Sequence, residues 1–318
     1  MFFDIVMVLA GLVILVFAGD ALVKGAVNLS LRLGVPALIV GLTVVAFGTS
    51  APELLVSIQA VLDHAPALAL GNVVGSNTAN ILLVLGVPAL ITAVPVSRDL
   101  KHDFYVMMAA TAAFIALAYT GRFAWPQGVV LLIGLGMMLW NSYARARTHR
   151  LTERLLASDE ALELEGAEEG ISSTRIALYL LGGIIGLPLG AHLLVGGAVN
   201  IATVLGVSEA VIGLTLVAVG TSLPELATTV AAALRKEAGV AMGNVIGSNI
   251  FNLLGIIGVA SLVGPLPVPP PMLHVDLWVM AATSGIIGLF IVLRRDIGRL
   301  AGLALIGLYV LYVIHLFH

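Results

Sequence analysis

The chain has 318 residues, of which 60% are hydrophobic and 10% are charged, with a mean hydropathy of +1.10 and a net charge of −3. An ordinary soluble domain carries about 25% charged residues, because its surface has to be solvated by water. This composition excludes a soluble enzyme, a disordered chain and a basic nucleic-acid-binding protein. Cysteine is absent, which excludes a disulfide framework and a thiolate metal site.

Apolar runs between charged residues predict ten transmembrane helices, each near the roughly 20 residues that cross a bilayer. The first run lacks a basic start and a convincing cleavage site, so we interpret it as a span rather than a signal peptide. The expected fold class is an all-α integral membrane protein. The predicted spans are residues 5–30, 36–60, 67–93, 103–120, 124–142, 176–204, 209–233, 239–263, 274–293 and 299–317.

Basic residues predict the orientation, because they concentrate on the cytoplasmic side of a membrane. With the N-terminus outside, 13 of the 15 Lys and Arg fall in or beside cytoplasmic loops, while Arg122 lies outside and Lys24 lies within the first span. The long polar stretch at 145–173 is then a cytoplasmic linker. The strong bias and the lack of a targeting segment favour the cell (inner) membrane of a prokaryote.

The two halves of the sequence repeat each other at a constant offset of 172 residues. Residues 41–54 match 213–226, and residues 71–80 match 243–252. Five spans per half is an odd number, so the second copy must enter the membrane from the opposite face, and the repeats are expected to be inverted. The predicted units are a first five-helix repeat at 1–144 (motif 41–86), the linker at 145–173 and a second repeat at 174–318 (motif 213–258).

Two acidic residues, Glu53 and Glu225, lie inside long apolar spans at equivalent positions of the two halves. A carboxylate at membrane depth is costly unless it is protonated, paired or exposed to water, so these two are candidates for a shared polar site. Hydroxyl residues four positions before and after each glutamate lie on the same helix face. They are Thr49, Ser57, Thr221 and Thr229.

The neighbouring spans add a stripe of amides and hydroxyls. Pro52 and Pro224 remove a helix donor, so we expect the carbonyls of Gly48 and Gly220 to be freed and those at Ala46, Ala218, Thr49 and Thr221 to loosen. All these groups are oxygen ligands, which suit Na⁺, Ca²⁺ or H⁺ and disfavour zinc and copper. Competition between cations for the same two carboxylates is a direct route to antiport. The stripe comprises Asn72, Ser76, Asn80, Asn244, Ser248 and Asn252.

Two further patterns are interpreted as structural. Small residues spaced four apart, at Gly71 and Gly75 and at their equivalents Gly243 and Gly247, favour close helix packing. Asp20 and Lys24 lie one helical turn apart and are expected to pair with each other. That pair is not duplicated, because its equivalents in the second half are His192 and Gly196.

The duplicated motifs, Gly-Thr-Ser-x-Pro-Glu and Gly-Asn-Val-x-Gly-Ser-Asn-x-x-Asn, closely resemble the alpha repeats of the sodium/calcium exchanger family, and the match extends over essentially the whole chain. The resemblance implies a secondary active antiporter that exchanges Ca²⁺ for Na⁺ by alternating access. It implies an ion site at the membrane midplane, between the second, third, seventh and eighth spans, with the first and sixth spans as long gating helices. The cation ligands it implies are Glu53, Glu225, Thr49, Thr221, Ser50, Ser222, Ala46, Ala218, Ser76, Ser248, Asn80 and Asn252.

The resemblance has one departure and leaves alternatives open. Several family members carry Asp where this chain has Asn252, which removes one possible charge from the site. A Ca²⁺ or other divalent cation/H⁺ antiporter and a passive cation channel remain alternatives, whereas an enzyme is disfavoured because no nucleophile dyad or cofactor fingerprint is present. We expect no cofactor, inorganic cations and the lipid bilayer as partners, no nucleic acid, and a monomer as a plausible assembly.

Overall fold

A computed structural model describes residues 2–96, 100–156, 171–205 and 218–316. The first half of the chain forms helices and one short strand that pairs with a strand of the second half. The elements are α1 (Phe2–Leu33), α2 (Ala37–Val40), α3 (Ala46–Thr49), α4 (Ala51–Leu62), α5 (Pro66–Ala79), α6 (Gly86–Ile91), α7 (Leu100–Ala118), β1 (Arg122–Phe123) and α8 (Trp125–Leu156).

The second half follows the same order. Its described elements are α9 (Ser173–Val204), α10 (Ala218–Thr221), α11 (Leu223–Leu234), α12 (Ala238–Phe251), α13 (Ile257–Val263), β2 (Leu266–Pro267), α14 (Pro270–His274), α15 (Asp276–Leu293) and α16 (Arg299–Leu316). Helix α8 runs on to Leu156 and so enters the predicted linker, of which residues 157–170 lie outside the described part.

Among the described residues, seven helical segments are long and apolar enough to cross a bilayer, and the bent pair Ala37–Thr49 and Ala51–Leu62 makes an eighth. These eight coincide with eight of the ten predicted spans, which confirms a multi-pass helical membrane protein. The seventh predicted span begins outside the described residues and ends in α11, and the tenth corresponds to the shorter apolar helix Arg299–His315.

The outer surface of the helices is apolar, as a bilayer requires. Large side chains that are more than half exposed occur along several helices, whereas a soluble protein rarely leaves so much contiguous apolar surface uncovered. Examples are Phe17, Trp140, Ile185, Val292 and Leu300.

The two long helices α1 and α9 pack side by side. A Cβ atom added to Gly11 would lie 2.5 Å from the backbone nitrogen of Leu194, and one added to Gly183 would lie 2.5 Å from the Cβ of Leu22. Early residues of one helix thus meet late residues of the other, so α1 and α9 are antiparallel. The two contacts are related by the 172-residue offset, which means that each helix presents the same surface to the other.

The helices that carry the two motifs have the same lengths in both halves. Helices α4 and α11 have 12 residues each, and α5 and α12 have 14 residues each. Both longer helices continue into a π-helical turn, which begins at Asn80 in one half and at Asn252 in the other. The turns before them also repeat, since His64 and Lys236 have positive φ values of 59° and 58°. The duplication therefore extends to local backbone conformation.

Glycines on α12 allow a close approach to the segment that contains α2 and α3. Added Cβ atoms at Gly243 and Gly247 would each lie 2.6 Å from a backbone oxygen, of Leu38 and of Leu42 respectively. The predicted packing role is therefore confirmed for this pair. No described atom lies within 4 Å of a Cβ atom added to Gly71 or Gly75, so the packing role of that pair stays a prediction.

The charged side chain of Asp20 pairs within α1 and also links the two halves. The expected pair of Asp20 and Lys24 is confirmed, with 3.3 Å between the charged atoms. Asp20 also accepts a hydrogen bond of 2.6 Å from Nε of Arg235, which follows α11, so it links the long helix α1 to the helix that carries Glu225. This second partner was not predicted.

Candidate cation-binding site

Each of the two intramembrane glutamates lies in the first turn of a helix. Helix α4 starts after Ser50 and α11 starts after Ser222, and each has a proline within its first two positions. A proline there leaves no hydrogen bond broken, because the first-turn N–H groups have no intrahelical partner. The span is thus divided into two helices with a 43° bend in the first half. Each carboxylate gains the favourable field of a helix N-terminus.

Both carboxyl groups are buried, since Glu53 is 1% exposed and Glu225 is 0% exposed. The Oγ of Ser50 donates a 3.0 Å hydrogen bond to Oε1 of Glu225. The helix break in the first half of the chain therefore contacts the glutamate of the second half. In the described structure, both carboxyl oxygens of Glu53, Oε2 of Glu225 and Oγ of Ser222 have no hydrogen-bond partner.

Thr49 and Ser248, two of the predicted ligands, meet across the two halves. The Oγ1 of Thr49 donates a 3.0 Å hydrogen bond to Oδ1 of Asn244 and lies 3.5 Å from Oγ of Ser248. The backbone oxygen of Ala46 accepts a hydrogen bond from the backbone nitrogen of Ser50, and Oγ1 of Thr49 lies 3.3 Å from it. The expected loosening of this carbonyl is therefore not observed, although a carbonyl oxygen keeps a second lone pair.

Two asparagines outside the predicted ligand set hold the glutamate helices in place. Nδ2 of Asn244 donates to the backbone oxygen of Glu225 at 3.2 Å and to Oγ1 of Thr229 at 3.1 Å. Nδ2 of Asn72 does the same with the backbone oxygen of Glu53 at 3.3 Å and Oγ of Ser57 at 3.0 Å. The sequence stripe included both asparagines, but it did not indicate that they brace the neighbouring helix.

Further asparagines meet where α5 and α12 contact each other and continue into their π-helical turns. Asn77 and Asn249, which are equivalent in the two halves, each donate a side-chain hydrogen bond to the backbone oxygen of the other, at 3.2 and 3.3 Å. Nδ2 of Asn80 donates to Oδ1 of Asn249 at 3.0 Å. Asn252 is fully buried, and neither atom of its side-chain amide has a partner in the described structure.

Three further predicted ligands lie on α5 and α10. Ser76 is buried on α5, Ala218 begins α10, and Thr221 ends α10 and is partly exposed. The described residues contain no group of three or more acidic, histidine or cysteine side chains that could hold a metal ion. A cation held between Glu53 and Glu225 would therefore be completed by hydroxyl, amide and carbonyl oxygens, which are ligands for Na⁺ and Ca²⁺.

The sequence and the fold resemble those of known transport proteins. The sequence profile of the family described as sodium/calcium exchanger protein matches residues 3–144 and 175–318. The sodium/calcium exchanger MaX1 of Methanosarcina acetivorans is 34% identical, with 99% of each chain covered. The inner membrane protein YrbG of Escherichia coli is 34% identical, with 98% of this chain and 96% of that protein covered.

Solved structures of the sodium-calcium exchanger NCX_Mj have the same fold. The structure soaked with 2.5 mM Na⁺ and 10 mM Sr²⁺ superposes with a TM-score of 0.83 at 35% identity, and the match covers 98% of both chains. Both the sequence match and the structural match span nearly the whole length, including both motifs and the two long helices. The chain therefore belongs to the sodium/calcium exchanger protein family, whose members are membrane antiporters and secondary transporters rather than enzymes.

Proposed function

We propose that this protein exchanges Ca²⁺ for Na⁺ by alternating access, at a site between Glu53 and Glu225. The observation that supports this proposal most strongly is the pair of buried carboxyl groups, which come from equivalent helix starts; Ser50, three residues before Glu53, donates a hydrogen bond to Glu225. Buried polar atoms usually have a hydrogen-bond partner, so several oxygens without one around two carboxylates fit a cation as their missing partner.

Charge balance gives the exchange its coupling. Two carboxylates neutralise one Ca²⁺, and Na⁺ ions that occupy the same oxygens displace it. A site with both carboxylates bare resists closing, because burying uncompensated charge costs several kcal/mol. The protein therefore changes its access only when cations are bound, which enforces exchange over leak. The proposed ligands are Glu53, Glu225, Thr49, Thr221, Ser50, Ser222, Ala46, Ala218, Ser76, Ser248, Asn80 and Asn252.

We further propose that the chain forms ten transmembrane helices in two inverted five-helix repeats, at 1–144 and 174–318. The antiparallel packing of α1 on α9 supports this arrangement, because these are the first helices of the two repeats. The reciprocal hydrogen bonds of Asn77 and Asn249 support it too, since a twofold axis relates such a pair. The distribution of basic residues supports an N-terminus outside and a cytoplasmic 145–173 loop, and the name of YrbG supports an inner-membrane location.

The test is Na⁺-driven ⁴⁵Ca²⁺ uptake into proteoliposomes that contain the purified protein. We expect Glu53→Gln and Glu225→Gln to abolish uptake, because each removes a charge that a divalent cation needs. Asp63→Asn is the matched control, since Asp63 directly follows α4 but is exposed and accepts a hydrogen bond from Gln59. Wild-type uptake by either glutamine variant would refute the proposed site.

The same vesicles separate the two alternative functions. Uptake that is driven by a pH gradient without Na⁺ would identify a Ca²⁺/H⁺ antiporter, for which the neutral Asn252 leaves the two carboxylates as proton acceptors. Uptake that continues without any counter-ion and without stimulation from the opposite side would identify a channel. Exchange that requires Na⁺ supports the proposal.

A further inference from the structure

Three asparagines, Asn77, Asn80 and Asn249, are hydrogen-bonded to one another where α5 meets α12, whereas the side chain of Asn252 has no partner among the described residues, so the arrangement is not symmetric. Asn77 and Asn249 are equivalent, as are Asn80 and Asn252. The reciprocal bonds between Asn77 and Asn249 obey the twofold relation of the two halves, with lengths of 3.2 and 3.3 Å. All four side chains are at most 1% exposed, so water does not compete for their hydrogen bonds.

The twofold relation fails one turn further along. Nδ2 of Asn80 donates to Oδ1 of Asn249 at 3.0 Å. The equivalent bond would run from Nδ2 of Asn252 to Oδ1 of Asn77, and in the described structure both of these atoms have no partner. Asn80 is therefore held by Asn249, whereas Asn252 is not held by Asn77.

The bond to Asn249 determines which end of the Asn80 amide is available. Because the nitrogen is committed, Oδ1 is the atom of Asn80 that remains without a partner among the described residues. An amide oxygen binds Na⁺ or Ca²⁺, whereas an amide N–H₂ group repels them. Asn80 begins a π-helical turn, a backbone form that often marks functional sites.

We propose that Asn249 is a positioning residue that holds the Asn80 amide with its oxygen toward the transported cation. This inference rests on the proposed function, because it takes the cation site to lie between Glu53 and Glu225. Asn249 uses both ends of its amide for the task. Its Nδ2 anchors it to the backbone oxygen of Asn77, with the sulfur of Met107 a further 3.9 Å contact, and its Oδ1 receives Asn80.

Asn77 provides a matched control, because it is equally buried and makes the same backbone bond but does not hold Asn80. If the two residues only fasten α5 to α12, Asn77→Ala and Asn249→Ala have equal effects. If Asn249 positions Asn80, then Asn249→Ala lowers cation affinity and Asn77→Ala does not. Asn249→Asp keeps the oxygen that accepts the hydrogen bond from Asn80 but removes the amide donor to Asn77. It therefore tests whether Asn80 stays in position without that donor.

The experiment measures Ca²⁺ affinity by isothermal titration calorimetry of the purified protein in Na⁺-free detergent solution. We expect Asn249→Ala and Asn80→Ala each to raise the Kd by roughly three- to tenfold, the range for one lost hydrogen bond. The double variant should be no weaker than the weaker single variant, because both remove the same ligand. Asn77→Ala should stay within about twofold of wild type, and its effect should multiply independently with that of Asn80→Ala.

Folding and the proposed function are controlled separately. Asn249→Asp keeps the acceptor for Asn80, so in this background Asn80→Ala should raise the Kd as it does in wild type. This test remains available if Asn249→Ala does not fold. Independent, multiplying effects of Asn80→Ala and Asn249→Ala would overturn the positioning role, as would equal effects of the variants at Asn249 and Asn77. If Glu53→Gln binds Ca²⁺ like wild type, the proposed site itself is wrong. If Glu53→Gln loses binding while Asn249→Ala retains it, only the positioning role is wrong.

Discussion

The crossing of the two long helices gives a stability prediction that can be worked from the structure. A Cβ atom at Gly183 would lie 2.5 Å from Cβ of Leu22, 2.9 Å from Cα of Leu22 and 3.0 Å from the backbone oxygen of Ala18. Two of these three atoms belong to the backbone of α1, so they cannot move aside without separating α1 from α9. The neighbouring Gly182 is exposed, and no described atom lies within 4 Å of a Cβ added there.

The comparison of Gly183→Ala with Gly182→Ala isolates this overlap. Both substitutions gain about 1 kcal/mol of helix propensity, so that gain cancels in the difference. Overpacking costs about 1–3 kcal/mol, and contacts with backbone atoms place this case near 3 kcal/mol. With an unfolding entropy of about 2.1 cal/mol/K per residue over 318 residues, the overlap corresponds to a difference of about 4–5 °C in apparent Tm.

Thermal unfolding in detergent, followed by tryptophan fluorescence, measures the difference directly. We expect Gly183→Ala to melt about 4–5 °C below Gly182→Ala, with Gly182→Ala at or slightly above wild type. If the two variants melt within 1 °C of each other, α1 and α9 do not cross as closely as described, and the reasoning is refuted.

Three further predictions concern buried polar groups. In cation-free protein, Ser50→Ala should lower the apparent Tm by a few degrees, because a hydrogen bond to a carboxylate contributes about 1.5–3 kcal/mol. Ser222→Ala should leave the Tm unchanged, since the Ser222 hydroxyl lacks a partner in the described structure, and equal shifts in the two variants would contradict this. Arg145→Gln should lower the free energy of unfolding by about 3–5 kcal/mol, because it leaves the buried Asp103 unpaired. Adding Asp103→Asn should restore the yield of folded protein in size-exclusion chromatography, and a double variant with the same low yield as Arg145→Gln would argue against the pair. Ca²⁺ at about 100 times its Kd should stabilise the wild type by about 2.7 kcal/mol but not Glu53→Gln, and an equal thermal shift in both would place Ca²⁺ elsewhere.

The membrane fold could be predicted from the hydrophobicity and charge patterns of the sequence. Apolar runs and the placement of charges predicted the helices, and eight of the predicted spans coincide with helices of spanning length in the described residues. The pairing of Asp20 with Lys24 followed from their spacing on one helix. The contact between Asp20 and Arg235 could not be predicted in this way, because 215 residues separate the two and neither position is duplicated.

The sequence predicted the site as a set of equivalent positions in the two halves, but it did not predict the contacts between them. Repetition shows that Glu53 and Glu225 correspond, but it does not show which atoms touch across the two halves. The bond from Ser50 to Glu225 could therefore not be foreseen. The ligand assignments themselves remain predictions.

Local backbone conformation was the other limit. Pro52 predicted a disturbed helix, and the chain instead ends one helix and starts another at Ser50, because proline fits the first turn of a helix. No residue type marks a π-helical turn, so the turns that begin at Asn80 and Asn252 were not predicted.

The bridge between Asp20 and Arg235 has a consequence for the energetics of transport. For a transporter whose equivalent halves trade conformations, perfect duplication would make the inward-facing and outward-facing forms isoenergetic. The counterparts of Asp20 and Arg235 in the opposite halves are His192 and Asp63, so trading conformations replaces a carboxylate–guanidinium contact with an imidazole–carboxylate one. Under the proposed alternating access, the two forms would therefore be unequal before any ion binds, and the chain itself would set the resting population.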